Sequence, residues 1–518
     1  MMRMSYKRFQ VTAATTVVAG LVCAPLLILC LELLSNIHSI DMGKAWPGAR
    51  GGLLLLESFS FSLGATLLGL LVVIPAAALL MDIPGRGGRL LRLLAVAPVT
   101  VPPYLHAMAW QRLIDAVGSS SQGFAVAFVV EAVSRLPLLL AAVLIGFHFI
   151  DPMSRNTALI YASRVRTLMT ITLPQARPAV IAGACIVMVF SLNEYGLPAL
   201  FQRHTYALEI FAEYSVSGNS VDTLLVALPL VLLSVLFAVI AIWALSALPM
   251  LATDATPDQR ALTGPWLYDS IRLLAVAVVF SPLLVLLWQS VLLVAGNDAT
   301  PITITGFETI AYSALVAFSA TTIAVPCAWL LAEQLHQHRH PVLWLVVLIG
   351  FALPASLSGA GSIRLWSWGG GELMYNGWGL PLAGMLVGLI PLATLLLYAV
   401  IRHSDHLPWD AARVYRHGLV LWLRVRLFQI WPGAIGAFFL LFALSLPELE
   451  LSLLLSPPGS SPIGVRIFNY IHYGAHEQVA YLTLVLLMVS LLLGGAIYQM
   501  IAYQARLDCQ DREGYNKK

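Results

Sequence analysis

Twelve separate stretches of this chain are apolar and long enough to cross the roughly 30 Å hydrocarbon core of a bilayer, and no other feature limits the fold as strongly. They fall at about 10–34, 53–81, 89–113, 124–150, 177–200 and 221–250, then at about 269–295, 308–333, 341–365, 379–401, 433–455 and 477–503. A segment inside lipid must satisfy every backbone N–H and C=O internally, so runs of this length are read as helices. The expectation is an all-α polytopic membrane protein with about twelve transmembrane helices. Composition points the same way: 59% of residues are hydrophobic and only 11% charged, where a soluble chain carries about 25% charged residues. The first run, from about Val11 to Leu34, follows Arg3, Lys7 and Arg8. It exceeds the roughly 7–15 apolar residues of a secretory signal and is read as an uncleaved first span.

The runs divide into two sets of six. Residues 251–268 form a polar, proline-bearing break, so the expected organisation is a first half over 1–250, a linker over 251–268, a second half over 269–503 and a tail over 504–518. Pro75 with the following Ala-Ala-Ala-Leu-Leu recurs as Pro326 with Cys-Ala-Trp-Leu-Leu, and Pro102 of the third span has a counterpart in Pro354 of the ninth. An even number of spans per set makes this a parallel repeat, with its pseudo-twofold axis along the membrane normal and the solute path between the halves. With both termini cytoplasmic, 22 lysines and arginines fall on the cytoplasmic side, against seven elsewhere: Lys44, Arg50, Arg112, Arg135, Arg203, Arg364 and Arg466. The opposite orientation inverts that ratio, so the positive-inside rule selects this one. The basic residues are dispersed, which argues against a nucleic-acid partner. The five cysteines show no metal-ligand spacing and read as small buried hydrophobes.

Two loops stand out among short ones: 151–176 after the fourth span and 402–432 after the tenth, at the same place in each half. Each carries a basic, helix-capable stretch ending in a proline at the entry to the next span. Matched long loops suggest a docking surface for a cytosolic partner. The first runs from Arg155, Asn156 and Thr157 through Tyr161, Ala162, Ser163 and Arg164 to Ile171, Thr172, Leu173 and Pro174. The second runs from Asp410, Ala411 and Ala412 through Gly418 to Ile430 and Pro432. Together they resemble the signature of binding-protein-dependent ABC importer permeases: Glu-Ala-Ala, three residues, Gly, nine residues, then Ile-x-Leu-Pro. The first loop keeps the back half of that pattern and replaces its front, with Arg155-Asn156-Thr157 for Glu-Ala-Ala and Tyr161 for the glycine. The second keeps an acid and both alanines, with the glycine and proline displaced.

The likeness extends along most of the chain. Pro84-Gly85-Arg86 followed by Pro98, Pro102, Pro103 and Tyr104, the stretch Asn193 to Leu200, and above all Glu448 to Gly459 are similar to segments of the ferric-iron branch of these permeases. The resemblance implies the fused permease subunit of an ATP-driven importer of the bacterial inner membrane, with ferric iron, thiamine or an aminophosphonate as cargo. It also implies two copies of a cytosolic ATPase docked on the two loops and a periplasmic or lipid-anchored binding protein outside. ATP and magnesium would sit on the ATPase, with no cofactor on this chain.

The residues themselves agree with a transport subunit rather than an enzyme. A phosphate-cradling GxxxxGK[ST] loop is missing, since none of Lys7, Lys44, Lys517 and Lys518 stands in that context. There is likewise no HExxH and no GxSxG elbow. Ionisable residues inside spans are costly and usually face a bundle interior or water. Glu131 and Arg135 stand i, i+4 on the fourth span and form either a self-neutralising pair or part of a path. Glu194 on the fifth span, and Glu448 with Glu450 on the eleventh, occupy similar depths on repeat-equivalent helices. They are candidate path-lining groups for a cationic or metal-bound solute, or else interfacial carboxylates. His336, His338 and His340 read as a solvated basic loop rather than a chelator, and Glu57 as interfacial. The rival class is an ion-coupled secondary transporter with two parallel six-helix repeats; a membrane enzyme acting on lipid-linked groups would need acidic or histidine clusters that the sequence lacks.

Overall fold

A computed structural model describes residues 2–35, 42–83, 85–118, 123–148, 150, 152–247, 266–295, 304–338, 341–367, 372–403, 419–474, 478–489 and 491–495. Among these residues all regular structure is helical. Nine helices among the described residues are long and apolar enough to cross a membrane, or up to eleven if each of two bent helix pairs is one span. The chain is therefore a helical protein with multiple membrane-spanning segments. Large apolar side chains such as Leu67, Leu71, Leu232 and Trp243 are exposed on the bundle, as a lipid-facing surface requires.

In order, α1 is Met2–Ser35, α2 Gly48–Asp82, α3 Gly85–Val96, α4 Pro103–Ala116 and α5 Phe124–His148. Then come α6 Pro152–Tyr161, α7 Arg164–Thr167, α8 Leu173–Asn193, α9 Gly196–Leu200, α10 Tyr206–Ser217 and α11 Ser220–Ser246. The series continues with α12 Trp266–Ala295, α13 Ile304–His338, α14 Pro341–Ala352, α15 Ala355–Trp366, α16 Glu372–Tyr375 and α17 Gly379–His403. It closes with α18 Leu419–Ser445, α19 Glu450–Leu455, α20 Ile463–His472 and α21 Gln478–Gly495.

The third and ninth runs of the sequence are not straight. Gly87–Thr100 meets Pro103–Ala116 at 102°, and Pro341–Ala352 meets Ala355–Trp366 at 108°. Proline explains both corners, because it has no N–H to donate and forces the preceding residue out of the α region. Pro102 and Pro354 themselves are extended, with ψ 150° and 143°. Prolines 25, 75, 137, 229, 282, 326 and 391 stay within their helices.

The fifth and eleventh runs differ from their expected bounds. The fifth starts earlier: Ser163 caps the chain by accepting the Arg166 N–H at 3.4 Å, and a π-helical turn over Leu168–Thr172 carries the helix into α8. Pro174 thus lies in the first turn of α8, where a missing N–H costs little. The wide turn also means that the loop is shorter than 151–176. At its far end α8 stops at Asn193, not at Leu200, because Glu194 is extended and the chain restarts as α9. The eleventh run breaks likewise, α18 ending at Ser445 and α19 starting at Glu450, and Pro432 falls inside α18 rather than at a loop end. The expected linker to position 265, the tail beyond 495 and Asp410, Ala411, Ala412 and Gly418 lie outside the described residues.

Helix packing interlocks the chain. Helix α2 packs on α5, α8 on α5 and α11, and α13 on α17. The leading helix of each set crosses over: α1 packs mainly on α13, α14, α15 and α17, whereas α12 packs on α2, α3, α4 and α5. Gly361 of α15 shows how close the first of these contacts is, since a Cβ there would sit 2.5 Å from the Pro25 carbonyl oxygen of α1. Near the C-terminal end of α1 the crossing is fastened by Arg364, whose Nε donates to Glu32 at 3.0 Å.

Candidate functional site

The breaks after α8 and α18 bring most of the intramembrane charges together. Each break carries a glutamate that caps the short helix following it, because a helix start leaves backbone N–H groups unpaired. Glu194 Oε1 accepts the Leu197 N–H at 3.2 Å. Glu448 accepts the Leu451 N–H at 2.9 Å with one oxygen and the Ser452 N–H at 3.0 Å with the other, which also takes the Ser452 hydroxyl at 3.1 Å. These two carboxylates do the same local work in the two sets.

Arg135 on α5 joins them to a larger cluster. Its Nε donates to Glu131 Oε1 at 2.9 Å, the expected i, i+4 pair, and its other arm reaches Glu194 Oε2 at 3.3 Å. The side chains are 0% exposed at Glu131, 11% at Arg135 and 13% at Glu194. Glu450 closes the assembly from the second set by accepting the Tyr195 N–H at 3.2 Å, and its charge acts on Glu194 and Arg135. Arg135 thus pairs with two carboxylates, Glu131 and Glu194, while Glu450 bonds the backbone next to Glu194 and Glu448 sits on its own cap. An ion-pair cluster in low dielectric holds strongly only when each partner remains.

Neighbours from α4 lock this junction. The buried Tyr104 hydroxyl donates to the Pro447 carbonyl at 3.1 Å. Gly464 of α20 presses on the same turn, since a Cβ there would lie 2.6 Å from the Glu448 carbonyl oxygen and 2.7 Å from that of Pro447. The Tyr195 ring stacks on Phe211 with centroids 5.1 Å apart. His106, also on α4, is fully buried with neither ring nitrogen hydrogen-bonded. Neither Tyr104 nor His106 is singled out as a functional group by the sequence; only the proline corner that precedes them is.

The other candidate residues lie a helix length away, at the start of α8. Helix α6 presents Met153, Ile160 and Tyr161 outward, the last 85% exposed. Thr157 is exposed, while Asn156, Leu173 and Pro174 are half-buried. Arg155 does not point outward: it is ion-paired with Asp82 at the end of α2. Asp82 is a functional candidate that sequence reading missed, although a signal exists. It stands seven residues after Pro75, as Glu333 stands seven after Pro326.

The remaining residues take ordinary places. Glu57 is half-exposed and faces Arg203 at 3.5 Å. His336 packs edge-on to Tyr398 at 6.5 Å between centroids, and His340 lies outside the described residues. No group of three or more histidine, cysteine, aspartate or glutamate side chains arranged to hold a metal ion occurs among the described residues. Comparison with known protein families finds no matching model, and comparison with curated proteins finds no match.

Proposed function

We infer that this chain is the fused permease subunit of an ATP-binding-cassette importer, built as two six-helix halves in the bacterial inner membrane with both termini cytoplasmic. What carries this reading is α6: a ten-residue helix between two long apolar helices that leaves Met153, Ile160 and Tyr161 exposed, in a loop whose sequence resembles a coupling helix. Exposed apolar side chains on a short polar helix are what a docking contact needs. The recurrence of element order supports the two-half reading. A proline corner near position 102 returns near 354, and a glutamate-capped break at Glu194 returns at Glu448.

On this reading, a binding protein delivers solute to the outer loops, and two ATPase subunits close on ATP beneath the two inner loops. Their closure rocks one half against the other. The chain supplies two packed arrangements and the nucleotide cycle biases them in turn. The Glu131, Arg135, Glu194 and Glu450 junction ties the α8–α9 break of the first half to the α18–α19 break of the second and is the gate on the path. Ferric iron is the first cargo to test, followed by thiamine and an aminophosphonate.

Purification from native membranes tests the assignment. An ABC ATPase should co-purify in two copies, together with or captured by a binding protein, and ligand screening on that binding protein identifies the cargo. Transport by the purified chain alone in vesicles, with no ATPase and no nucleotide, would overturn it in favour of an ion-coupled secondary transporter, for which the same buried carboxylates would carry the coupling ion.

A further inference from the structure

The front of the first loop, where the importer signature has an acid and this chain has Arg155, is tied inward by a run of alternating charges. Arg155 of α6 pairs with one oxygen of Asp82 on α2. The other oxygen of Asp82 holds Arg272 of α12. Arg272 is only 1% exposed, and it also donates to the Ala78 carbonyl at 3.2 Å and to Asp269 Oδ1 at 3.3 Å. Asp269, three residues earlier on the same helix, faces Arg164 of α7 at 3.9 Å. The run Arg155, Asp82, Arg272, Asp269, Arg164 therefore begins and ends on one loop and passes through a helix of the other set.

Two features make this more than a surface ion pair. Its centre is buried, so the Arg272 charge depends on Asp82 and Asp269 for compensation. A cavity of about 40 Å³ separates the loop from the bundle, lined by Asp82, Arg155, Arg164, Thr167 and apolar neighbours including Phe147 and Leu168. Around that cavity the loop meets the bundle across these charges as well as through packed side chains. The helix they reach, α12, opens the second set but packs on α2, α4 and α5 of the first.

We propose that Asp82 is the junction through which the first loop moves α12, so that a push on α6 is delivered directly to the opposite half as well as along α8. This rests on the importer reading of α6. Residue for residue, the loop's lost acid is replaced by an arginine whose partner is inside the permease, and the leading helix of the second half becomes the driven element. The second half retains an acid at the matching place, Glu333, which is buried and accepts from Gln337 at 2.6 Å.

The test uses the full complex in proteoliposomes, with its ATPase and binding protein, and reads solute taken up per ATP hydrolysed. Asp82→Asn should lower that ratio about tenfold while the ATPase still co-purifies. Arg155→Ala, which leaves the buried Asp82–Arg272 contact in place, should lower it by a similar factor, and the double variant should be no worse than Asp82→Asn alone. A wild-type ratio in Arg155→Ala, or losses that multiply in the double variant, overturns the proposal. Spin labels at Ile160→Cys and Ile271→Cys, on the purified chain with its five native cysteines replaced, give a second measurement that needs no ATPase. Arg155→Ala should broaden their distance distribution, and an unchanged distribution overturns the proposal. Failure of the wild-type chain to bring down an ATPase sinks the importer reading instead, while the spin-label result still decides whether the charges hold the loop.

Discussion

The junction around Arg135 and the network beneath α6 are built from the same materials, arginines and carboxylates, yet they stand in opposite surroundings. In the junction every carboxylate is buried or nearly so, and Glu194, Glu448 and Glu450 also accept backbone N–H groups. In the network Arg272 is buried and Arg164 is 15% exposed, while Arg155, Asp82 and Asp269 are about a third exposed. Charge in the first place therefore fixes the fold, because removing one partner strands another in low dielectric. Charge in the second place is cheap to remove only at its exposed end, because water screens what the loss of Arg155 leaves behind, whereas the loss of Asp82 would leave Arg272 buried with one counter-charge fewer.

Four measurements break or sharpen that contrast. Arg135→Ala leaves Glu131 and Glu194 facing each other without a cation and should destabilise the protein most, by about 3–5 kcal/mol, read as loss of folded yield and thermal unfolding in detergent. Gly464→Ala forces a Cβ into two carbonyl oxygens of the α18–α19 break and should cost about 1–3 kcal/mol, with the damage local to Glu448 and Pro447. Glu448→Ala removes a helix cap and should cost about 1 kcal/mol; if it instead matches Arg135→Ala, Glu448 belongs energetically to the cluster. Tyr161→Ala should shift unfolding least, within about 0.5 kcal/mol, and on the importer reading it should also weaken co-purification of the proposed ATPase. The contrast fails if Arg155→Ala unfolds the chain as readily as Arg135→Ala.

Much of the architecture could be read directly from the order of residues. Each of the twelve apolar runs has a helical counterpart among the described residues: nine as long helices, two as bent pairs, and the eleventh as a shorter apolar helix over Gln429–Ser445. Pro102 and Pro354 could be matched from the sequence, but the corners they make could not, since Pro75, Pro137 and Pro326 leave their helices unbroken. The pairing of Glu131 with Arg135 was legible, because i, i+4 spacing on a helix is a local fact. The breaks at Glu194 and Glu448 were not. An apolar run does not announce where it stops being one helix, and both breaks depend on a carboxylate turning forward to cap the next segment.

The sequence by itself determined that this protein is helical and apolar enough to span a membrane several times, because hydropathy and backbone hydrogen bonding act within a few residues. Only the tertiary structure decided which helices exchange places, that Arg135 reaches Glu194 as well as Glu131, and that Arg155 turns inward to Asp82. The two charge contacts join positions 59 and 73 residues apart, and the helix exchange joins positions as far apart as Glu32 and Arg364, 332 residues. They depend on how whole helices pack, and no local pattern encodes which of several distant partners a buried charge will find.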